Sequence, residues 1–144
     1  MIKAQFTPKD VRDMVQKRVD AMLEQVFQRL VRIGLVFVKD ARLKADFTDR
    51  TGNLRSSIGF VIMRDGKQVY GDFELSKKGT DRAKGESEAK QLAQLIATKY
   101  SDGFALIVVA GMEYAAAVES KGKDVITGSS LEATASLNKA FKRK

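Results

Sequence analysis

Two carboxylates, Asp72 and Glu74, stand two residues apart in a stretch of strand-forming residues. That spacing puts both on one face of a strand, as paired acid–base chemistry would need. Charges on the solvated face of a half-exposed strand are common, so the pair reads first as an ordinary outer face. Gly-Lys occurs at 66–67 and 122–123, but no glycine-rich phosphate loop precedes either. A lysine nucleophile needs a neighbourhood that lowers its pKa, and nothing in the sequence singles out one lysine. Histidine and cysteine are both absent. A Ser-His-Asp triad, a His-Glu-x-x-His zinc site, a disulfide framework and a cysteine nucleophile are therefore excluded. The expectation is a non-enzymatic chain with no metal and no cofactor.

The 144 residues are enough for one sizeable core, so a single domain over 1–144 is expected. Hydrophobic residues make up 44% and charged residues 31%, proportions of a globular chain and not of a disordered one. Lys and Arg number 26 against 18 Asp and Glu, a formal charge of +8. That balance favours anionic partners, nucleic acid or acidic protein surfaces, and also keeps small domains soluble. No apolar core follows the first residues, so the N-terminus does not read as a secretory signal. The longest nearly apolar run, 103–112, is about half the length of a membrane helix. The expected compartment is a cytoplasm, without membrane contact.

The elements that would hold any site begin with a long helix. Thr7 is a good N-cap, Pro8 suits the first helical position and Asp10 sits in the first turn. Apolar residues then fall at Val11, Val15, Val19, Met22, Val26, Leu30, Ile33, Phe37 and Ala41. The steps of 4, 4 and 3 make an eleven-residue period, close to that of a straight α-helix. Residues 8–45 read as one amphipathic helix, with Gly34 as a kink or a close packing point. Such a helix outruns a compact body of this chain length. Its N-terminal third should contact a neighbouring subunit or the C-terminal helix through Leu137 and Phe141.

A body at about 50–144 follows. Residues 53–58 suggest a short helical turn and 59–64 a strand. Asp65-Gly66 is a tight hairpin signal, and 67–75 is the returning strand with Val69, Gly71, Phe73 and Leu75 on one face. Residues 76–85 carry Lys77, Lys78, Arg82 and Lys84 and no apolar residue larger than alanine, which reads as an exposed basic contact loop. A helix at 86–100 should turn Ala89, Leu92, Ala93, Leu95, Ile96 and Tyr100 inward. The continuous apolar run 104–110 reads as a buried central strand, and a last helix as starting near Ser129. The order implies an α+β fold: a long N-terminal helix and two further helices over one face of a small, mainly antiparallel sheet.

Two stretches together resemble a family. Thr51-Gly52-Asn53-Leu54-Arg55-Ser56-Ser57-Ile58 is similar to a signature of tail-completion or head–tail joining proteins of long-tailed bacteriophages. Tyr114-Ala115-Ala116-Ala117-Val118-Glu119 is similar to that family's segment after its central strand. The resemblance covers most of the chain in order and spacing, with 86–100 as an added helix. It implies a phage or prophage structural protein of the virion tail or neck, made in the bacterial cytoplasm. Its partners would be itself, as a ring or other homo-oligomer, and other tail or connector proteins.

Within these segments, Thr51, Gly52, Leu54, Arg55, Ile58, Tyr114, Ala115, Val118 and Glu119 are the candidate family or interface residues. On a helical turn Leu54 and Ile58 share a face and would equally serve as core. Arg55 and Glu119 carry opposite charges and could pair within one subunit or between two. The competing reading, from charge and the basic loop alone, is a small nucleic-acid-binding module with unspecific DNA contact.

Overall fold

The computed structural model describes residues 3, 5–44, 52–75, 77, 79–80, 82–112, 115–120, 122 and 124–142, with the side chains of 116–118 left out. Helix α1 spans Pro8–Leu43. It starts where the sequence places its signals. Thr7 Oγ1 accepts the N–H of Asp10 at 3.2 Å, and the Asp10 carboxylate accepts the N–H of Thr7 at 2.8 Å, a reciprocal capping box. The Thr7 side-chain and backbone hydrogen bonds hold the Asp10 carboxyl below its ordinary range. The helix ends two residues short of the expected 45, with Lys44 as C-cap; Ala45 lies outside the described residues.

Short α2 (Asn53–Ser56) leads into β1 (Ile58–Arg64), which turns into β2 (Lys67–Asp72). Asp65 and Gly66 both have positive φ, 50° and 77°, the mirror-image turn that matches strand twist. Helix α3 (Arg82–Ala97), β3 (Phe104–Ala110), α4 (Ala115–Ser120) and α5 (Thr127–Phe141) complete the order. The fold is α+β, with helices packed on an antiparallel sheet of order β2-β1-β3 among the described residues.

That order corrects the reading of 104–110. The central strand is β1, and β3 is an edge. The run is continuously apolar because both its faces are covered, not because strands flank it. Phe104, Leu106, Val108 and Ala110 turn to the cluster under α1, and Ala105, Ile107 and Val109 to the cluster under α3. Central β1 divides in the same way: Ile58, Phe60 and Ile62 against α1, Val61 and Met63 against α3. The helices thus cover both faces of the sheet, not one as expected.

Strand β2 is shorter than the expected 67–75, and a bulge interrupts it. Ile62 pairs with Tyr70 but Met63 with Gln68, which leaves Val69 as the extra residue, half exposed. The bulge turns Tyr70 under α1, where its ring stacks on Phe60 at 5.8 Å and meets the edge of Phe27 at 6.2 Å. Helix α3 starts four residues earlier than expected and ends three earlier. Ala89 and Ala93 are buried as expected, but Leu95 and Tyr100 are exposed. Helix α4 was not foreseen, and α5 starts two residues before Ser129.

Gly34 is a packing point, not a kink. It is buried on α1, and a β-carbon there would stand 2.6 Å from Cζ of Phe60. Helix α5 lies along the C-terminal half of α1. Lys44 pairs with Glu132 at 2.9 Å at one end, and that hydrogen bond raises the Lys44 pKa above its ordinary value. At the other end the Arg29 guanidinium donates to the Ala140 carbonyl at 3.1 Å and lies 5.9 Å from the centre of the Phe141 ring.

Candidate functional site

The first resembling segment is interior. Gly52 opens α2 at φ 76°, and Leu54, Ser56, Ser57 and Ile58 are fully or nearly buried. Ser57 donates its hydroxyl to the Leu54 carbonyl at 2.7 Å, closing the turn locally. Gly85 of α3 lies so close to the Asn53 backbone that no side chain fits between them. Leu54 and Ile58 therefore hold α2 in the core and present nothing to a partner. Thr51 lies outside the described residues.

Arg55 is the segment's half-exposed member. Its guanidinium donates to the Arg42 carbonyl at 2.6 Å, on the last turn of α1. Arg42 in turn donates to the Ile58 carbonyl at 3.1 Å, to the Glu74 carbonyl and, at 3.5 Å, to the Glu74 carboxylate. One side chain thus joins the end of α1 to the start of β1 and the segment after β2. Burial pulls the Arg42 pKa below its ordinary value; Glu74 and Asp72 oppose this by favouring its charge, and Arg55 adds to the lowering. Of the sequence's carboxylate pair, Glu74 lies beyond the end of β2 and pairs with Arg42 at 3.5 Å, while Asp72 favours the Arg42 charge without an ion pair to it among the described residues. Their place beside a cation is that of counter-charges.

These residues line a groove of about 630 Å³, with Leu35, Val38, Leu43 and Leu75 as its apolar wall and Lys39, Arg42, Arg55 and Lys77 as its cations. Sequence reasoning missed Arg42 and Lys39. The available signal was an arginine four residues after core Val38, on the buried side of α1.

The second resembling segment is α4. Ala115 is buried, and its N–H bonds the Met112 carbonyl at 2.9 Å. Tyr114 and the Val118 side chain lie outside the described residues. Glu119 accepts the N–H groups of Val125, Ile126 and Thr127 on Oε1 at 3.3, 2.9 and 3.0 Å, and the Thr127 hydroxyl on Oε2 at 2.8 Å. It satisfies the orphan donors at the start of α5, which has no acidic residue of its own in the first turn. Burial works against the charged form, but the bonds from Ile126, Thr127 and Val125 outweigh it and hold the Glu119 carboxyl below its ordinary range. Among the ion pairs of the described residues there is none between Arg55 and Glu119.

The basic stretch is not one loop. Lys77 is exposed at the groove, but Arg82 opens α3 and Lys84 lies on it; Lys78 lies outside the described residues. Gly85, the end of the expected loop, lies inside α3 and is its point of contact with α2.

The remaining feature is the N-terminal half of α1. Val11 (53%), Met14, Val15 (55%), Val19 and Met22 (66%) are exposed, and so is Phe6 before the helix. Helix α5 does not cover them: Phe141 reaches Arg29 and α5 ends there. The expected contact of this third with Leu137 and Phe141 is not made.

Among the described residues no group of three or more Asp or Glu could hold a metal ion, and no helix is long and apolar enough to cross a membrane. The chain matches no protein-family model, no curated protein and no solved structure.

Proposed function

We propose that this chain is a non-enzymatic structural protein that acts by self-assembly, a tail-completion or head–tail connector component of a phage or prophage particle. The observation that carries the self-assembly is α1. At 1.5 Å per residue its 36 residues span about 54 Å. A compact body of this chain length is about 37 Å across. The helix projects, and the projecting half keeps its apolar residues in solvent. A contiguous exposed apolar face on a charged, globular chain is what an interaction site looks like.

The phage assignment comes from the resemblance of 51–58 and 114–119 to the family's segments. The element order supports it: a long helix, then the first segment, a hairpin, the added helix α3, a strand, the second segment and a closing helix. The burial of Leu54 and Ile58 gives the first segment a scaffold role and leaves the assembly contacts to other surfaces.

Sedimentation velocity over a concentration series, with negative-stain electron microscopy of the most concentrated sample, tests the reading. Closed rings or one defined oligomer are expected. A monomer at every concentration would remove the self-assembly. Micromolar, steeply salt-dependent binding of that monomer to arbitrary duplex DNA would put the nucleic-acid-binding module in its place.

A further inference from the structure

We propose that the N-terminal half of α1, with Phe6 before it (residues 6–22), is the surface through which two copies of this chain pack on each other, stripe against stripe. The proposal rests on the self-assembly reading above and names its surface and its occupant.

Two observations converge on a second copy. The first is continuity. Val11, Val15, Val19 and Met22 belong to the same stripe as Val26 and Leu30, which enter the core. The stripe does not stop at the edge of the body; only its cover does. Helix α5 lies along α1 as far as Arg29, and beyond that point the apolar face runs on exposed, with nothing of the described chain upon it.

The second is charge. Residues 6–22 carry four cations, Lys9, Arg12, Lys17 and Arg18, interleaved with three carboxylates, Asp10, Asp13 and Asp20, and Glu24 follows on the same helix. The surface is close to neutral in a chain of +8. A polyanion would be met by an excess of cations, and a helix lying on an anionic membrane carries Lys and Arg on its polar face. Interleaved carboxylates suit neither. Two copies of a chain of +8 repel over most of their surface, and a nearly neutral segment of mixed sign is where they can approach and pair charges. The helical part of the surface, residues 8–22, offers a neighbour a continuous stripe about 22 Å long.

The absence of cysteine makes the test clean. Single Val15→Cys and Met22→Cys variants, treated with a short flexible bis-maleimide, should give a covalent dimer. Leu95→Cys, equally exposed on α3, should not. Adding Val15→Asp with Val19→Asp to the Met22→Cys chain should cut the cross-linked fraction at least tenfold. Its far-UV circular dichroism and melting temperature should stay near those of the parent. Oligomers that form without cross-linking at 15 or 22, or that cross-link equally at 95, overturn the surface and leave self-assembly standing. A chain that stays monomeric at every concentration overturns both. Should the double Asp variant fail to fold, the three cysteine positions still decide.

Discussion

Gly34 on α1 lies directly against the ring of Phe60 on β1, with no room for even a methyl group between them. Phe60 is fully buried and central to the strand that both sheet neighbours pair with. The missing side chain on the helix is what lets the helix reach the sheet at ring contact.

Gly34→Ala should therefore destabilise the fold although alanine is the better helix former by about 1 kcal/mol. Overpacking of a tight core costs about 1–3 kcal/mol and should win. Thermal unfolding checks this, and the sign decides: a higher melting temperature would mean that α1 can shift off Phe60. Phe60→Leu should relieve part of the loss, so a double-mutant cycle should show coupling between the two positions.

Gly66 sits in the hairpin turn at φ 77°, after Asp65 at 50°. Gly66→Val forces a β-branched side chain into the left-handed region, at a cost of about 1–2 kcal/mol. The urea midpoint should fall with an unchanged slope. Gly66→Asn should lose less, since asparagine tolerates this region.

Elements whose signals are local were legible. The capping box of Thr7 and Asp10 marks the start of α1, and Asp65-Gly66 marks the hairpin, because each is settled by residues within one turn. Elements set by contacts distant in sequence were not. The apolar run 104–110 carries the same pattern whether it lies at the centre or at an edge covered on both faces, and only pairing with β1 decides. Gly85 reads as a loop residue until the Asn53 backbone is seen against it.

The candidate site divides the same way. The apolar stripe of α1 is visible as periodicity, but that α5 stops at Arg29 is a fact of packing. Arg55 and Glu119 stood out by type. The Arg42 carbonyl that Arg55 reaches and the N–H groups that Glu119 caps are backbone groups, which carry no signature in sequence.

Arg42 offers a test of backbone against side-chain partners. Arg42→Met keeps the apolar stem but removes the donors to the Ile58 and Glu74 carbonyls. Hydrogen bonds from a charged group are worth about 1.5–3 kcal/mol, so a loss of that order in chemical denaturation is expected. Glu74→Ala should cost less than about 1 kcal/mol, because its carboxylate is exposed and 3.5 Å from the guanidinium. Both carbonyls accept from one guanidinium nitrogen, Nη2, so Arg42→Lys, whose ammonium carries three donors on a stem one bond shorter, should restore part of the stability that Arg42→Met loses. Equal losses from Arg42→Met and Glu74→Ala would mean that the ion pair, and not the carbonyl contacts, holds the segment after β2.

Glu119 gives the pH dependence a definite sign. Its carboxyl is held below the ordinary value in the folded chain, so its contribution is fully present above the ordinary carboxylate range. It is lost as the pH falls through the lowered value, because the protonated acid is a weaker, uncharged acceptor for the N–H groups of Val125, Ile126 and Thr127. Glu119→Ala should cost about 1 kcal/mol at neutral pH, the usual worth of a helix cap. Glu119→Gln keeps an acceptor without the charge, so it should lose part of this and flatten the acid limb of the stability curve. Wild type and Glu119→Gln should converge at acid pH, once the wild-type carboxyl is neutral too. Amide hydrogen exchange locates the effect: Ile126 and Thr127 should exchange faster in Glu119→Ala, while the amides of β1 keep their protection. Faster exchange throughout β1 as well would show that Glu119 supports the whole body, and that its role is wider than holding the first turn of α5.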